Sequence, residues 1–317
     1  MYVKDLSQTK YAFNKVKQNQ NRVWITPENP EQFYRGGERS VQIFQHLQDE
    51  RRQRYPNWEQ KITEEARKIA GVIEKQGYYK IENFWDTAFL DKIKRQTLET
   101  MEENNPKKVK HPQEGRHTQI VHPLENIELA NEMAINETIQ AIASAFLGCP
   151  PALGTSNLRL STAEKSIDAG TNMFHKDFNS PVRLIKFFTY FNNVTMKNGP
   201  FTYVHGSNIQ LPSNPHWSTH HRWPDEAIET LYGSDRIMNL TASYGDLLIA
   251  TTNGFHKGLK LEEGARMMFT LNYVIHPELG GSGFAGPPQD LHTVKNNTYE
   301  GIAEGNKYLY DFIEKVE

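Results

Sequence analysis

Cysteine is nearly absent from this chain. Cys149, in the apolar run AFLGCPPALG, is the only thiol, so no intramolecular disulfide can form and a paired-cysteine metal or redox site is excluded. Long apolar stretches are missing too, and no window approaches the ~20 residues of a membrane span. The opening segment MYVKDLSQTKYAFNKVKQNQNRVW lacks the apolar core of a secretory signal. Neither charge sign dominates: 36 Lys and Arg face 38 Asp and Glu, for a formal net charge of -2. That balance gives no electrostatic reason to expect nucleic acid or an anionic membrane as partner. No internal repeat is present. These absences leave the expectation of a cytoplasmic protein acting on a small molecule, with nothing to set its oligomeric state.

What is present divides the chain in three. Residues 1–60 read as an N-terminal extension rich in Gln, Asn, Arg and Lys, with the charge run QDERRQRYPNWEQK. Its aromatics Tyr11, Phe13, Trp24, Phe33 and Tyr34 are suited to docking it on the rest. Residues 61–280 form the expected main domain. It opens with a helix in ITEEARKIAGVIEKQG, where Ile62, Ala66, Ile69, Ala70 and Ile73 make an apolar stripe between a Thr63 N-cap and a Gly77 C-cap. YYKIENF reads as a strand, and DTAFLDKIKRQTLETM as a helix with Leu90, Ile93, Thr97, Leu98 and Met101 inward. EENNPKKVKHPQEGRH is expected to loop out, before a helical segment that ends at Gly148.

From about residue 153 the period changes. SNLRLSTA, RLIKFFTYFNN, PFTYVHG, RIMNLTA, GDLLIATT and RMMFTLNYVIHP are short, rich in β-branched and aromatic residues, and divided by Gly, Pro and Asn. Such strands, with almost no helix between them, argue for an antiparallel sandwich or barrel. The exception is an insertion from Asn208 to Asp235, which holds PHWSTHHRWP and a brief helix in PDEAIETLYG. Residues 281–317 read as a loop and a closing helix with Leu309, Phe312, Ile313 and Val316 on one face.

The chemistry starts from FHKDF. On a strand, residues two apart point the same way, so His175 and Asp177 present an imidazole and a carboxylate to one ion while Lys176 points away. Two ligands hold a metal weakly, and a third must come from elsewhere. His256, after the apolar strand DLLIAT and a Gly-containing turn, is the best candidate. Two histidines and one carboxylate on one face of an ion is the arrangement of non-haem Fe(II) oxygenases, because it leaves adjacent positions open. A 2-oxoglutarate molecule fills two of those and leaves room for O2. Its far carboxylate needs a cation, best a guanidinium, and Arg266 opens the next strand, where it is costly to bury without an anion.

These features together resemble the phytanoyl-CoA dioxygenase family of Fe(II)- and 2-oxoglutarate-dependent oxygenases. The likeness runs from about Glu65 to Pro277. The helix before KQGYYKIENF is similar to the family's opening helix and strand, NNVTMKNGPFTYVHGSN to its middle, and GDLLI with a following His and Arg to its closing segment. The resemblance implies a mainly β fold with flanking helices: a double-stranded β-helix (jelly roll, cupin-like) whose N-terminal helices pack on one sheet. It implies His175, Asp177 and His256 as catalytic iron ligands and Arg266 as the cosubstrate anchor. Phe188 falls where an aromatic often lies beside 2-oxoglutarate, and Asn157 on a strand with a further cosubstrate contact. The family's Pro-Gly-Ser-His turn is replaced by His205-Gly206-Ser207-Asn208, and Gly258 stands where a small hydroxyl residue is common. The expected reaction is hydroxylation of an unactivated C–H bond with release of succinate and CO2, with desaturation or ring closure as variants.

Two other classes compete: a jelly-roll binding protein without turnover, and a cupin-type metalloenzyme that does not use 2-oxoglutarate. HxD alone fits a polar strand end better than a metal site, and it is the joint agreement with His256, Arg266 and the flanking pattern that favours the metal. His205 reads equally as a pocket residue or a hydrogen-bonded turn. His216, His220 and His221 suggest a second metal site less well than a loop with Trp217 and Trp223 beside it. Arg116, Arg222 and Lys165 would suit a polar or anionic substrate. Arg183 reads as a strand-edge charge, and Cys149 as a small buried hydrophobe.

Overall fold

The computed structural model describes residues 38–111, 117–166, 170–177, 183–209, 222–275 and 293–317. The aromatics of residues 1–37, His216, His220, His221 and Arg116 lie outside them. Eight helices and twelve strands follow among the described residues, besides short 3₁₀ turns. The first half carries α1 (Glu38–Arg54), α2 (Glu64–Gln76), β1 (Tyr78–Ile81), α3 (Thr87–Glu102), β2 (Val109–Lys110), β3 (Thr118–Ile120), α4 (Pro123–Asn126), α5 (Ala130–Ala134) and α6 (Glu137–Leu147). The second half carries β4 (Ala152–Thr162), β5 (Leu184–Tyr190), β6 (Phe201–Val204), α7 (Asp225–Tyr232), β7 (Ile237–Leu240), β8 (Leu247–Ala250), β9 (His256–Gly258), β10 (Ala265–Val274), β11 (Thr293–Lys295), α8 (Asn296–Gly301) and β12 (Glu314–Val316).

Helix α2 forms where its stripe and caps place it. Ala66, Ile69, Ala70 and Ile73 are buried, Thr63 accepts from the Ala66 N–H, and Gly77 closes the helix at φ 97°. A side chain at 77 is excluded twice, by that φ and because a Cβ would lie 2.2 Å from the Tyr203 ring. In α3, Leu90, Ile93 and Thr97 face inward, but Leu98 is on the solvent side at 37% exposure. It falls about 100° from Thr97 on the helix, off the buried arc.

A major sheet in the order β1-β8-β5-β10-β4-β3-β2 faces a minor sheet in the order β7-β6-β9. All pairs in both are antiparallel. The strand β2 corrects the expectation that its segment loops out: Val109 pairs with Ile120 and extends the sheet edge. Strand alternation gives the major sheet two different faces. Ile185 and Phe187 of β5, Leu247 and Ile249 of β8, Met267, Phe269 and Leu271 of β10, and Leu158 of β4 pack against the helices in the principal core. The intervening residues Phe188, Tyr190 and Leu248 turn to the minor sheet and pack on Phe201 and Tyr203. This is the double-stranded β-helix with helices on one sheet.

Helix α1 belongs to the same packing. Phe44 and Leu47 are buried in the helix-side core, and Arg51 is 5% exposed. The tail differs from a closing helix: a 3₁₀ segment, Glu304–Tyr310, leads to β12, which pairs in parallel with β11. Leu309 and Ile313 are buried as expected, but Leu309 lies in the 3₁₀ segment and Ile313 in the turn before β12, so no helical face joins them to Val316. No helix among the described residues is long and apolar enough to cross a membrane.

A candidate metal centre between the two sheets

His256 opens β9, and His175 stands beside it as an added strand position. Each residue donates its backbone N–H to the other's carbonyl at 3.0 Å, a closely spaced antiparallel pair. Asp177 is tied by its own N–H to the Thr252 carbonyl at 2.9 Å, on the turn that leads to β9. The main chain therefore brings together residues distant in sequence. Ligand atoms of His175, Asp177 and His256 all lie within 4.8 Å of one another, and among the described residues this is the one such cluster able to hold a metal. Asp177 Oδ1 is 3.9 Å from His175 Nε2, and Asp177 Oδ2 is 3.9 Å from His256 Nε2.

The tautomers follow from the partners. His175 Nδ1 lies 2.9 Å from the Met173 carbonyl and His256 Nδ1 3.0 Å from the Gly254 carbonyl. A carbonyl only accepts, so each Nδ1 carries the hydrogen and each Nε2 turns its lone pair to the centre. Electrostatics favour the same state. Burial lowers both imidazole pKa values, to about 3 for His256, where the neighbouring His175 adds to the effect. Burial alone would raise the Asp177 carboxyl, but the Lys186 ammonium at 2.5 Å is foremost among the charges that outweigh it and hold the group well below the usual carboxylate range. The cluster is two neutral imidazoles and a carboxylate, a donor set suited to a divalent transition metal.

Of the remaining sequence candidates, Phe188, Arg266 and Asn157 line the space between the sheets. Phe188 packs on Phe201 in a tilted pair with centroids 4.8 Å apart, and Phe201 stacks on the His256 ring at 5.5 Å. Arg266 opens β10, donates to the Gly199 carbonyl, and sits beside β9: a Cβ on Gly258 would be 3.4 Å from its Nη2. Burial pushes its pKa down. Asn157, opposite Thr270, hydrogen-bonds Arg159 and Gln119. His205 sits in a turn with Nδ1 only 3.5 Å from the Tyr78 hydroxyl, a marginal contact. Arg183 bonds Glu74 and the Phe146 carbonyl, away from the cluster.

Lys176 contradicts the expectation that it faces solvent. It does point away from the metal cluster, but α7 and its flanks cover that side, and it is 3% exposed with Nζ 5.4 Å from the Phe255 ring. Two functional candidates were not legible beforehand. Lys186, on the inward face of β5, grips Asp177. Tyr190 Oη is enclosed without a well-formed hydrogen bond, only the Phe201 backbone and the Arg266 charge lying near it. The alternation in LIKFFTY, which puts Lys186, Phe188 and Tyr190 on one side, was the available signal.

A jelly roll with two imidazoles and a carboxylate converging between its sheets defines a class of mononuclear metal site. The comparisons then place the chain: the Phytanoyl-CoA dioxygenase (PhyH) family profile matches residues 73–262, and the protein belongs to that family. No curated protein matches over its sequence. Among solved structures, the non-heme alpha ketoglutarate dependent carbocyclase SnoK from nogalamycin biosynthesis is similar at 13% identity and TM-score 0.52, over 68% of this chain and 85% of that one. EctD from S. alaskensis, solved with bound Fe, gives 16% identity and TM-score 0.51, over 67% and 78%. HygX from Streptomyces hygroscopicus, with nickel and 2-oxoglutarate bound, gives 13% and 0.50, over 78% and 96%. Likeness at this identity supports the fold.

Proposed function

We propose that the protein is an Fe(II)- and 2-oxoglutarate-dependent dioxygenase that hydroxylates an unactivated C–H bond of a small molecule. The observation that carries this reading is the convergence of two neutral Nε2 lone pairs and an anionic Asp177 on one point, beside an inward guanidinium. The residues fit the groups. His175, Asp177 and His256 would hold the ion through three donors and so would leave it room for the keto acid, and Tyr190 Oη is an enclosed hydroxyl in want of an acceptor next to Arg266. When bound, ferrous iron and 2-oxoglutarate supply the oxidising chemistry: O2 is consumed, one oxygen atom goes to succinate as CO2 leaves, and the other becomes the product hydroxyl.

The chain's own part is positional. The Met173 and Gly254 carbonyls hold the two Nδ1 hydrogens and thereby aim His175 and His256. Lys186 keeps Asp177 ionised and engages Oδ2. Arg266 takes the distal carboxylate of the keto acid, with Tyr190 Oη donating a second hydrogen bond in place of the hydroxyl that Gly258 lacks, and Asn157 contacts the same molecule. Phe188 and Phe201 give the cavity an apolar side that excludes water from the ligand cluster. The single buried thiol, Cys149, suits a reducing compartment, and we place the protein in the cytoplasm.

An anaerobic titration with Fe(II) and 2-oxoglutarate, followed by a succinate-release screen over small-metabolite classes, tests the reading. Replacing Arg266 with Gln is expected to raise the 2-oxoglutarate requirement roughly tenfold to a hundredfold, the range for losing a hydrogen bond to a charged group. Unchanged turnover in that variant would indicate a metalloenzyme that does without the keto acid. No succinate with any substrate would indicate a binding protein.

A further inference from the structure

A second guanidinium stands inside the sandwich without an anion. Arg159 lies on β4 two residues after Asn157, and their neighbours Leu158 and Leu160 pack on the helix side. Alternation therefore turns Asn157 and Arg159 to the space between the sheets, where Asn157 pairs with Thr270 and Thr270 with Phe188. Arg159 donates Nε to Gln119 Oε1 and Nη2 to Asn157 Oδ1, both at 3.2 Å, while Gln119 Nε2 also donates to Asn157 Oδ1 at 3.4 Å. Both of its partners are neutral amides. Among the described residues no carboxylate meets it, and its remaining N–H donors have no acceptor. Burial, then the nearby charge of Arg266, push its pKa down. A half-buried charge that meets no carboxylate among the described residues and is repelled by a like neighbour is costly unless something anionic arrives.

The use of Arg159 rests on the oxygenase reading, because the charge of the loaded site decides between two roles for this residue. A ferrous ion and Arg266 are matched by Asp177 and the two carboxylates of 2-oxoglutarate. Lys186 and Arg159 then stand in excess. The cosubstrate has no third carboxylate to give, so the surplus belongs to whatever binds beside it. Amides at Nε and Nη2 fix the plane of the guanidinium and leave its Nη1 edge for a bidentate acceptor.

We infer that Arg159, held in place by Gln119 and Asn157, is the anchor for an anionic group of the substrate, and that the substrate is a small carboxylate or phosphate ester. Selectivity between charged compounds and their neutral analogues then lies in Arg159, while affinity for the keto acid lies in Arg266.

The two guanidinium groups can be watched separately through their Nε–Hε NMR signals in the full chain loaded with Zn(II), a diamagnetic stand-in for iron. Arg159→Gln and Arg266→Gln each delete one signal and so assign it. Adding 2-oxoglutarate is expected to move the Arg266 signal. With the keto acid saturating, acetate or inorganic phosphate is then expected to shift the Arg159 signal saturably, and the tighter of the two identifies the anionic group. Thermal stabilisation by that anion should weaken roughly tenfold in concentration dependence in Arg159→Gln and be largely kept in Arg159→Lys. An Arg159 signal that moves with 2-oxoglutarate and is then silent to both anions would make it a second cosubstrate anchor and overturn the inference. Silence throughout would overturn it equally. If the keto acid leaves Arg266 unmoved, the cosubstrate reading fails instead, and the Arg159 titration still decides the anion site on its own.

Discussion

Lys176 and Lys257 flank the metal cluster in sequence and are both buried, at 3% and 5% exposure, yet they differ in company. Lys257 meets Asp225 at 2.6 Å and lies over the Phe174 ring. Among the described residues Lys176 has an aromatic face and no acid, and burial pushes its pKa down to about 7. Unfolded, the same amine holds its proton up to about 10.5, so between those values the unfolded chain binds more protons and stability rises with pH. Below the lower value both states are charged, and the burial penalty is complete. Replacing Lys176 with Met is therefore expected to stabilise the protein by about 1–3 kcal/mol at neutral pH. It should also flatten the rise in thermal midpoint between pH 7 and pH 10; a lower midpoint in the variant would refute the assignment. At this scale the sequence was legible where separate residues agree. The spacing of His175 and Asp177 gained meaning only together with His256 after an apolar strand and Arg266 at the start of the next. Lys186, Tyr190 and Arg159 were not legible, because one polar residue on a strand reads the same whether its face meets solvent or a reaction chamber.

The element that sets the metal cluster is the turn between β8 and β9. Gly254 supplies the carbonyl that orients His256, and it must be glycine, since a Cβ there would lie 2.0 Å from Tyr203 Oη and 2.7 Å from Ser207 Oγ. Tyr203 cannot retreat easily, being fully buried and bonded to the Thr251 carbonyl at 2.8 Å. Gly254→Ala is expected to weaken metal affinity roughly tenfold to a hundredfold by disturbing that outer hydrogen bond. Calorimetric metal titration checks this, and the circular dichroism spectrum should be retained. Strands β1, β4, β5, β8 and β10 of the major sheet were readable because their period and composition agree, whereas β2 and β3, at two and three residues, are too short to show a period. The minor sheet was not fully so: β9 spans three residues and His175 contributes a single bridge, too short to show a period. SNLRLST reads as a strand and forms one, β4. Its alternation is genuine, but the polar side that ordinarily meets water here lines the interior, while Leu158 and Leu160 face the helices.

Over the whole molecule, the two ends of the described chain are clasped through one side chain. Arg51 of α1 donates to the Pro150, Pro151 and Tyr308 carbonyls and pairs with Asp311 at 3.0 Å, the two groups being 6% and 13% exposed. Tyr55 adds a hydroxyl to the same carboxylate at 2.6 Å. Removing the guanidinium strands Asp311 and several carbonyls, so Arg51→Met is expected to cost about 3–5 kcal/mol in a denaturant titration. A loss below 1 kcal/mol would show that the clasp is incidental. Nothing in QDERRQRYPNWEQK distinguishes Arg51 from Arg52 or Arg54 next to it. Which arginine is buried depends on partners about a hundred and more residues away, and local periodicity carries no trace of them.

Because the two imidazoles ride on directly facing residues whose amides and carbonyls are bonded to each other, their spacing is a property of the main chain. The cavity wall is built from side chains on other strands. Its occupants can be exchanged, and a new molecule admitted, without retuning the hinge-free frame that grips the ion.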